Sequence, residues 1–542
     1  MMFTLAAAAG CGEPSGGEGA APAADPGPRS ERAEPASPLG TNLASIRNWS
    51  TALAFTDVFK ESSPFDDPDF DDPEGDPGSN LRKDANGWVI SFPGKSYLTI
   101  MRRELDPDGG GPAHYPAGDY RFRWRGNGTF TIGNDARVVD LDPVRREALL
   151  RVAEPTTGGI VLRVTATDPR DYLREMSLVP VSAAGGRGEE RFNPWFLESL
   201  AGFSVLRFMD WQETNNSNEV RFADRITPAS ETQASDRGVA LEHQVELANR
   251  LGADPWFCLP HRADDDYVER FATYVRDHLR PELAVYVEYS NEVWNGGFEQ
   301  SRYAAERGRA LRLGEPEGAR FYARRSAEIF AIFARVFGGT GRLRRVLASQ
   351  SVNTWLSEQI LDAEVPGLGP AYRAADYLAV APYFDGLKTN ACEPDNEIAA
   401  LEKLAPAALL ARVREDVART LDHAAEHRKL AEARRNAEGR PLRLAAYEGG
   451  PHLRGSCGGE NAEKLTALLL AANRDPAMKA LYLDYLAGWR ERGGRLFVNF
   501  SSTDRFTKWG SWGFREWYDE AGAPKLTALR EFAHANPRWW RD

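Results

Sequence analysis

From Phe203 to the C-terminus, short apolar runs alternate with longer amphipathic stretches, and this alternation restricts the fold more than any other feature of the chain. Strands separated by helices cannot pair through hairpins, so they build a parallel sheet with helical crossovers. The apolar runs are FSVLRFM (203–209), DPWFCLPH (254–261), LAVYVEYSNE (283–292), RVLASQS (345–351), DYLAVAPYF (376–384), RLAAYEGG (443–450) and RLFVNFSS (495–502). Between them, GVALEHQVELANRLG (238–252) reads as a helix ending at Gly252. DDDYVERFATYVRDHL (264–279) repeats Val268, Phe271, Val275 and Leu279 at helical spacing behind an acidic first turn. TNLASIRNWS (41–50) supplies an eighth strand upstream. The expected fold class is therefore α/β, a (β/α)8 barrel whose parts lie at 39–61 and 183–542.

Residues 80–182 differ in character. They carry alternating runs (YRFRWRG, GTFTIG, ALLRVA, IVLRVTATD) punctuated by Gly, Asn, Asp and Pro, the pattern of a β-sandwich. They read as a β-sandwich-like module inserted between the first barrel strand and a first helix near Asn193–Leu200, with 62–79 as the linker into it. At 542 residues, one large and one smaller domain are expected. Trp124, in the YRFRWRG strand, is a possible ligand contact, though an alternating strand needs an inward aromatic anyway; bracing the barrel is the favoured role of the insert.

The N-terminal MMFTLAAAAGCGEPSGG reads as the end of an export signal. Ala8-Ala9-Gly10-Cys11 resembles the lipobox of bacterial lipoproteins, with Cys11 as the lipidated residue and 12–38 as a tether too poor in apolar groups to fold. A secreted or surface-anchored location follows, with a membrane contact only through that anchor. The net charge of −12 argues against a nucleic-acid partner. Three other cysteines, Cys258, Cys392 and Cys457, are too few for a disulfide framework. With 8 His and no ligand-spaced cluster, no metal and no cofactor are expected. Aromatics make up 11% of the chain, with 14 Trp, which suits a protein that stacks flat uncharged rings such as sugars.

In such barrels the reacting groups project from the carboxyl ends of the strands. Glu292 in VEYSNEVWN and Glu448 in AAYEGG stand at two such ends, the fourth and the seventh. A retaining glycosidase needs one carboxyl to protonate the leaving oxygen and another, about 5–5.5 Å away, to attack the anomeric carbon.

Asn291-Glu292 at the fourth strand, with Glu448 at the seventh, resembles clan A of the glycoside hydrolases, the cellulase-like barrels. The resemblance covers about 190–535 plus 41–60 and leaves out the insert. It implies Glu292 as acid/base, Glu448 as nucleophile and Asn291 as the contact to the sugar 2-hydroxyl. It also implies that Arg207 on the second strand holds the nucleophile charged, and that Tyr383 at the end of the sixth is its partner. His261, ending the third strand, is implied as a substrate-binding histidine, and Trp509 and Trp512 after the eighth as sugar-stacking residues.

Blander roles stand beside these: Glu292 as a structural carboxylate, Glu448 in a merely tight Gly-Gly loop, Arg207 in a structural ion pair, His261 without substrate contact, and Trp509 or Trp512 as core. Glu288 reads as a buried hydrogen-bonded carboxylate, and Cys258 as a small buried residue. Asp210, Trp211 and Glu213 are placed near the cleft without an assigned role. Cys392 and Cys457 fall in the loops after strands six and seven, neighbours on one face, so a disulfide between them is expected. The reading is a monomeric retaining hydrolase of a β-linked polysaccharide or oligosaccharide, cleaving internally in an open cleft. A polysaccharide-binding protein without turnover, and a transglycosylase using the same residues, remain as alternatives.

Overall fold

The structure is a computed structural model that describes residues 37–66, 80–103, 113–182 and 190–540. Cys11, most of the tether and most of the 62–79 linker lie outside the described residues. Eight parallel strands close into a barrel in chain order: β1 (Leu39–Asn42), β2 (Val205–Arg207), β3 (Asp254–Leu259), β4 (Val285–Tyr289), β5 (Leu343–Ala348), β6 (Tyr377–Val380), β7 (Arg443–Ala446) and β8 (Phe497–Asn499). β1 closes the ring by pairing on one side with β2 (Gly40 opposite Val205) and on the other with β8 (Leu39 opposite Phe497).

Most of these strands are covered on both faces, which is why they read as continuous apolar runs rather than alternating ones. β1 differs from the expected 41–50: it begins at Leu39 and ends at Asn42. Its pairing partners need Gly40, where a Cβ would meet the Val205 carbonyl at 2.8 Å, and beyond Asn42 the chain turns away. Helices wrap the outside. In Asp265–His278 the Asp264 side chain accepts a hydrogen bond from the Tyr267 N–H at 2.7 Å, and Val268, Phe271 and Val275 face the core.

Between β1 and the first helix (Pro194–Leu200), two antiparallel sheets enclose a second core. One runs in the order Arg174–Pro180, Gly118–Arg125, Glu147–Val152, Ala136–Asp142; the other in the order Tyr97–Arg102, Ile160–Thr167, Gly128–Asn134. Tyr97, Met101, Leu162 and Val164 from one sheet and Phe122, Leu150 and Leu178 from the other are buried together. Trp124 is 9% exposed and stacks on Phe122, so it belongs to this core. Phe59, on the segment leaving the barrel, is part of the same core, and Asp57 accepts from the Leu178 N–H at 2.7 Å. A buried Glu61–Arg102 ion pair, 3.1 Å, joins that segment to the insert. A short hairpin (Arg82–Lys83, Val89–Ser91) reaches the 229–231 region of the barrel. There the Glu231 N–H donates to the Asn86 carbonyl at 2.8 Å and the Trp88 indole to the Ala229 carbonyl at 3.3 Å. Among the described residues, no helix is long and apolar enough to cross a membrane.

Candidate active site

The rim at the carboxyl ends of the strands gathers groups from β1, β2, β4, β6 and β7 around one cation. Arg207, the last residue of β2, has no exposed surface. Its Nη1 donates to Glu448 Oε1 at 2.8 Å and to Asn42 Oδ1 at 3.0 Å. Its Nη2 donates to Glu288 Oε2 and to Asn291 Oδ1, both at 2.9 Å. The guanidinium carbon lies 5.0 Å from the Tyr447 ring centroid and 5.6 Å from that of Trp256. Such a planar fork suits holding two carboxylates and two amides at once.

Glu448 follows β7 and is 5% exposed; its second oxygen, Oε2, accepts from the Tyr383 hydroxyl at 2.9 Å. Both carboxylate oxygens are thus held by donors, one charged and one neutral. Gly449 follows because a Cβ there would meet the Phe497 ring at 2.7 Å; the loop is tight and Glu448 stands at its start.

Glu292 follows β4 and is partly exposed. Tyr447 donates to its Oε1 at 3.2 Å and Asn295 to its Oε2 at 2.9 Å. Ser290 and Glu292 both have positive φ, 57° and 40°, in a non-glycine backbone, which costs about 1–3 kcal/mol each and is tolerated where the surroundings impose it. A cavity of about 290 Å³ lies beside Glu292, lined also by Trp294 and Gln350.

Arg207 was expected to favour the charged form of Glu448, and it does pull that carboxyl down, but burial outweighs it and pushes Glu448 up to about 8, with Tyr383 also pulling it back and the Glu292 charge pushing further. The same guanidinium serves a second buried carboxylate, Glu288. Burial also raises Glu292, against the hydrogen bonds from Asn295 and Tyr447. The pair therefore holds a proton through neutral pH.

The other expected residues fall as follows. Arg207 has no exposed surface to offer a ligand and reaches the site only through Glu448, Asn42, Glu288 and Asn291. Asn291 is 2% exposed; its Oδ1 is taken by Arg207 and one N–H goes to Asn215 Oδ1 at 3.1 Å. His261 is 2% exposed, its ring lies 5.2 Å from that of Tyr303 in an edge arrangement, and burial lowers it to about 4. Trp512 is half-buried and packs edge-on against His452 and Phe500, which both flank Tyr383. Trp509 stands out in solvent, 56% exposed, with the Lys508 ammonium 4.8 Å from its ring.

Glu288 is fully buried, accepting also from the Trp256 indole at 2.8 Å and the Cys258 thiol at 3.3 Å. Trp211 is core and Glu213 pairs with Arg47 at 2.8 Å. Burial pushes Asp210 up to about 7. Cys392 and Cys457 are disulfide-bonded with Cα atoms 5.6 Å apart, tying the loops after β6 and β7.

Asn42, Tyr447 and Phe500 were missed by sequence reasoning. Each stands at a strand end, as Glu292 and Glu448 do, and that position was the available signal. Among the described residues, no group of three or more His, Cys, Asp or Glu side chains could hold a metal ion.

No protein-family model matches the chain, and no curated protein does. Several solved structures are similar at low identity. A family 39 glycoside hydrolase from Bacteroides cellulosilyticus WH2 is 11% identical, with a TM-score of 0.32, over 77% of this chain and 80% of that one. A modular endo-β-1,4-mannanase from Cellulomonas fimi is 12% identical, with a TM-score of 0.29, over 62% and 63% of the two chains. A family 5 xyloglucanase from Paenibacillus pabuli is 11% identical, with a TM-score of 0.31, over 64% and 92%. What the geometry itself defines is a closed (β/α)8 barrel with two carboxyl groups at one rim.

Proposed function

We propose that the chain is a retaining glycoside hydrolase acting on a β-linked glycan by double displacement, with Glu448 as nucleophile and Glu292 as acid/base. The observation that carries this reading is the asymmetry of the two carboxyl groups. Glu448 is gripped at both oxygens by Arg207 and Tyr383, while Glu292 is more exposed and bonded only by neutral donors. In the reactive distribution the shared proton sits on Glu292 and the negative charge on Glu448, where Arg207 stabilises it. Glu448 then attacks the anomeric carbon as Glu292 gives its proton to the departing oxygen. Esterification removes the charge on Glu448, and Glu292, now ionised, takes a proton from water as that water cleaves the ester.

The test is a panel of β-linked polysaccharides and aryl glycosides, comparing wild type with Glu448→Gln and Glu292→Gln. Glu448→Gln is expected to abolish turnover on every substrate. Glu292→Gln should lose about 10²–10⁴ in kcat on glycans, which need a proton on the leaving oxygen, and far less on aryl glycosides with acidic phenols. Near-normal activity of Glu448→Gln, or inversion at the anomeric carbon, would end this assignment.

A further inference from the structure

Next to the rim, a second and larger space opens between the barrel and the insert. It is a cavity of about 840 Å³, walled on the barrel side by the segment after β2 and on the insert side by the Asn86 turn. That volume lies in the range of sites that enclose ligands larger than one small ring.

Its wall is chemically distinctive. The charged side chains bordering it are largely neutralised in pairs: Glu213 with Arg47, Glu219 with Arg237 at 3.1 Å, Asp224 with Arg221 at 2.7 Å and Arg225 with Glu242 at 2.6 Å. What remains is a row of amides and hydroxyls, with Asn86, Asn215, Asn216, Asn218 and Ser230 among them, and the exposed Asp236 carboxylate. Among the described residues, no aromatic side chain lines it. Paired charges give little field to draw in an ion, and without a ring there is no stacking surface. Amides and hydroxyls around a wet space match an uncharged polyhydroxylated ligand bound by its edges.

The chamber is built to hold its shape. Asn86 sits in a turn whose N–H groups at Asn86 and Trp88 are both accepted by Asp84 Oδ1, at 2.8 and 3.0 Å. Tyr172 fixes the other oxygen of Asp84 at 2.7 Å. Gly87, with φ +90°, lies against Glu231, where a Cβ would come within 2.8 Å. Opposite, Asn216 accepts from the Glu299 N–H at 2.8 Å and its own N–H donates to Gln300 at 3.0 Å.

The chamber is also joined to the rim. Asn215 Oδ1 accepts from Asn291 at 3.1 Å and from Gln300 at 2.7 Å, while its amide nitrogen meets only the thioether of Met209, at 3.7 Å. A thioether is a weak acceptor, so the Asn215 N–H groups remain available to a ligand hydroxyl. The Asn86 side chain has no hydrogen-bond partner among the described residues.

We propose that this chamber is a distal subsite: it receives sugar units of the glycan one or more residues away from the cleaved bond, with the insert supplying one wall through Asn86. This rests on the glycosidase reading for the neighbouring rim, and it gives the inserted module a part in substrate selection.

The experiment compares wild type with the Asn86→Ala/Asn218→Ala double variant on β-1,4-linked gluco-, manno- and xylo-oligosaccharides from disaccharide to hexaose. In wild type, kcat/KM should rise with chain length on the accepted series. In the double variant, the hexaose-to-disaccharide ratio of kcat/KM should fall about tenfold, the effect of losing ligand hydrogen bonds. An unchanged ratio would overturn the subsite while leaving the catalytic assignment intact. If wild type cleaves none of these series, the glycosidase reading fails on them, and calorimetric titration of the same hexaoses into wild type and double variant decides the chamber. Binding that the two substitutions weaken supports it; no binding, or binding they leave unaltered, rejects it.

Discussion

At the level of single residues, the site turns on how one guanidinium is divided. Because Glu448 is pushed up to about 8 and Glu292 is raised as well, the pair loses its last proton only on the alkaline side of neutrality. On the roles proposed above, the leaving oxygen then has no acid, so kcat/KM on a glycan should fall as pH rises past about 8. It should also fall on the acid side, where a second proton neutralises the proposed nucleophile, and there the limb should lie above the ordinary carboxylate range. A pH profile that climbs steadily through the alkaline range would contradict this proton count. Tyr383→Phe removes the donor on Glu448 Oε2, which lowers the carboxyl's affinity for protons. The variant should lose about 10² in kcat and shift the profile to higher pH; kinetics at several pH values read both. The two glutamates are placed at strand ends by counting strands, whereas Arg207 and Tyr383 are singled out only through the family resemblance. His261 also follows a strand end and is buried, and a strand end by itself does not tell whether the side chain after it is exposed.

Among the elements, the loops after β6 and β7 carry Tyr383 and follow Glu448, and the Cys392–Cys457 bond joins them. Thr389 also donates to the Arg454 carbonyl at 2.7 Å, so the two loops run side by side. Cys392→Ser should destabilise the protein by about 2–4 kcal/mol, seen as a lower urea midpoint under non-reducing conditions. Reductant should produce the same drop in wild type and none in the variant. The strands of the barrel were readable because burial on both faces makes each an unbroken apolar run. β1 was the exception: at four residues, with Gly, Thr and Asn in it, it carries little apolar signal and is specified by its two neighbours. The chamber beside the rim was unreadable for a related reason. Asn86 and Asn215 are far apart in the chain, and nothing local to either marks the space they share.

For the molecule as a whole, insert and barrel are fastened by buried polar contacts as well as by apolar packing. Glu61 pairs with Arg102 and accepts from the Phe55 N–H at 2.9 Å, linking the two cores through one carboxylate. They should therefore unfold together. Leu162→Ala, at a fully buried insert position, should cost about 2–5 kcal/mol and lower the single calorimetric transition of the entire protein. Two transitions, only one of them displaced, would mean that the modules are independent. The alternating pattern of 80–182 foretold sheets, but not how firmly they would be anchored.

β1 and β8 meet across nearly the full length of the chain, and β1 also carries Asn42, which binds both Arg207 and the Tyr447 carbonyl. Both strands must therefore have left the ribosome before the ring can shut, and contacts so distant along the chain form slowly. Until that closure, Arg207 lacks one of the struts that aim it. A nascent chain, or one clipped ahead of β8, can have most of its helices in place while the rim around Arg207 is still unassembled.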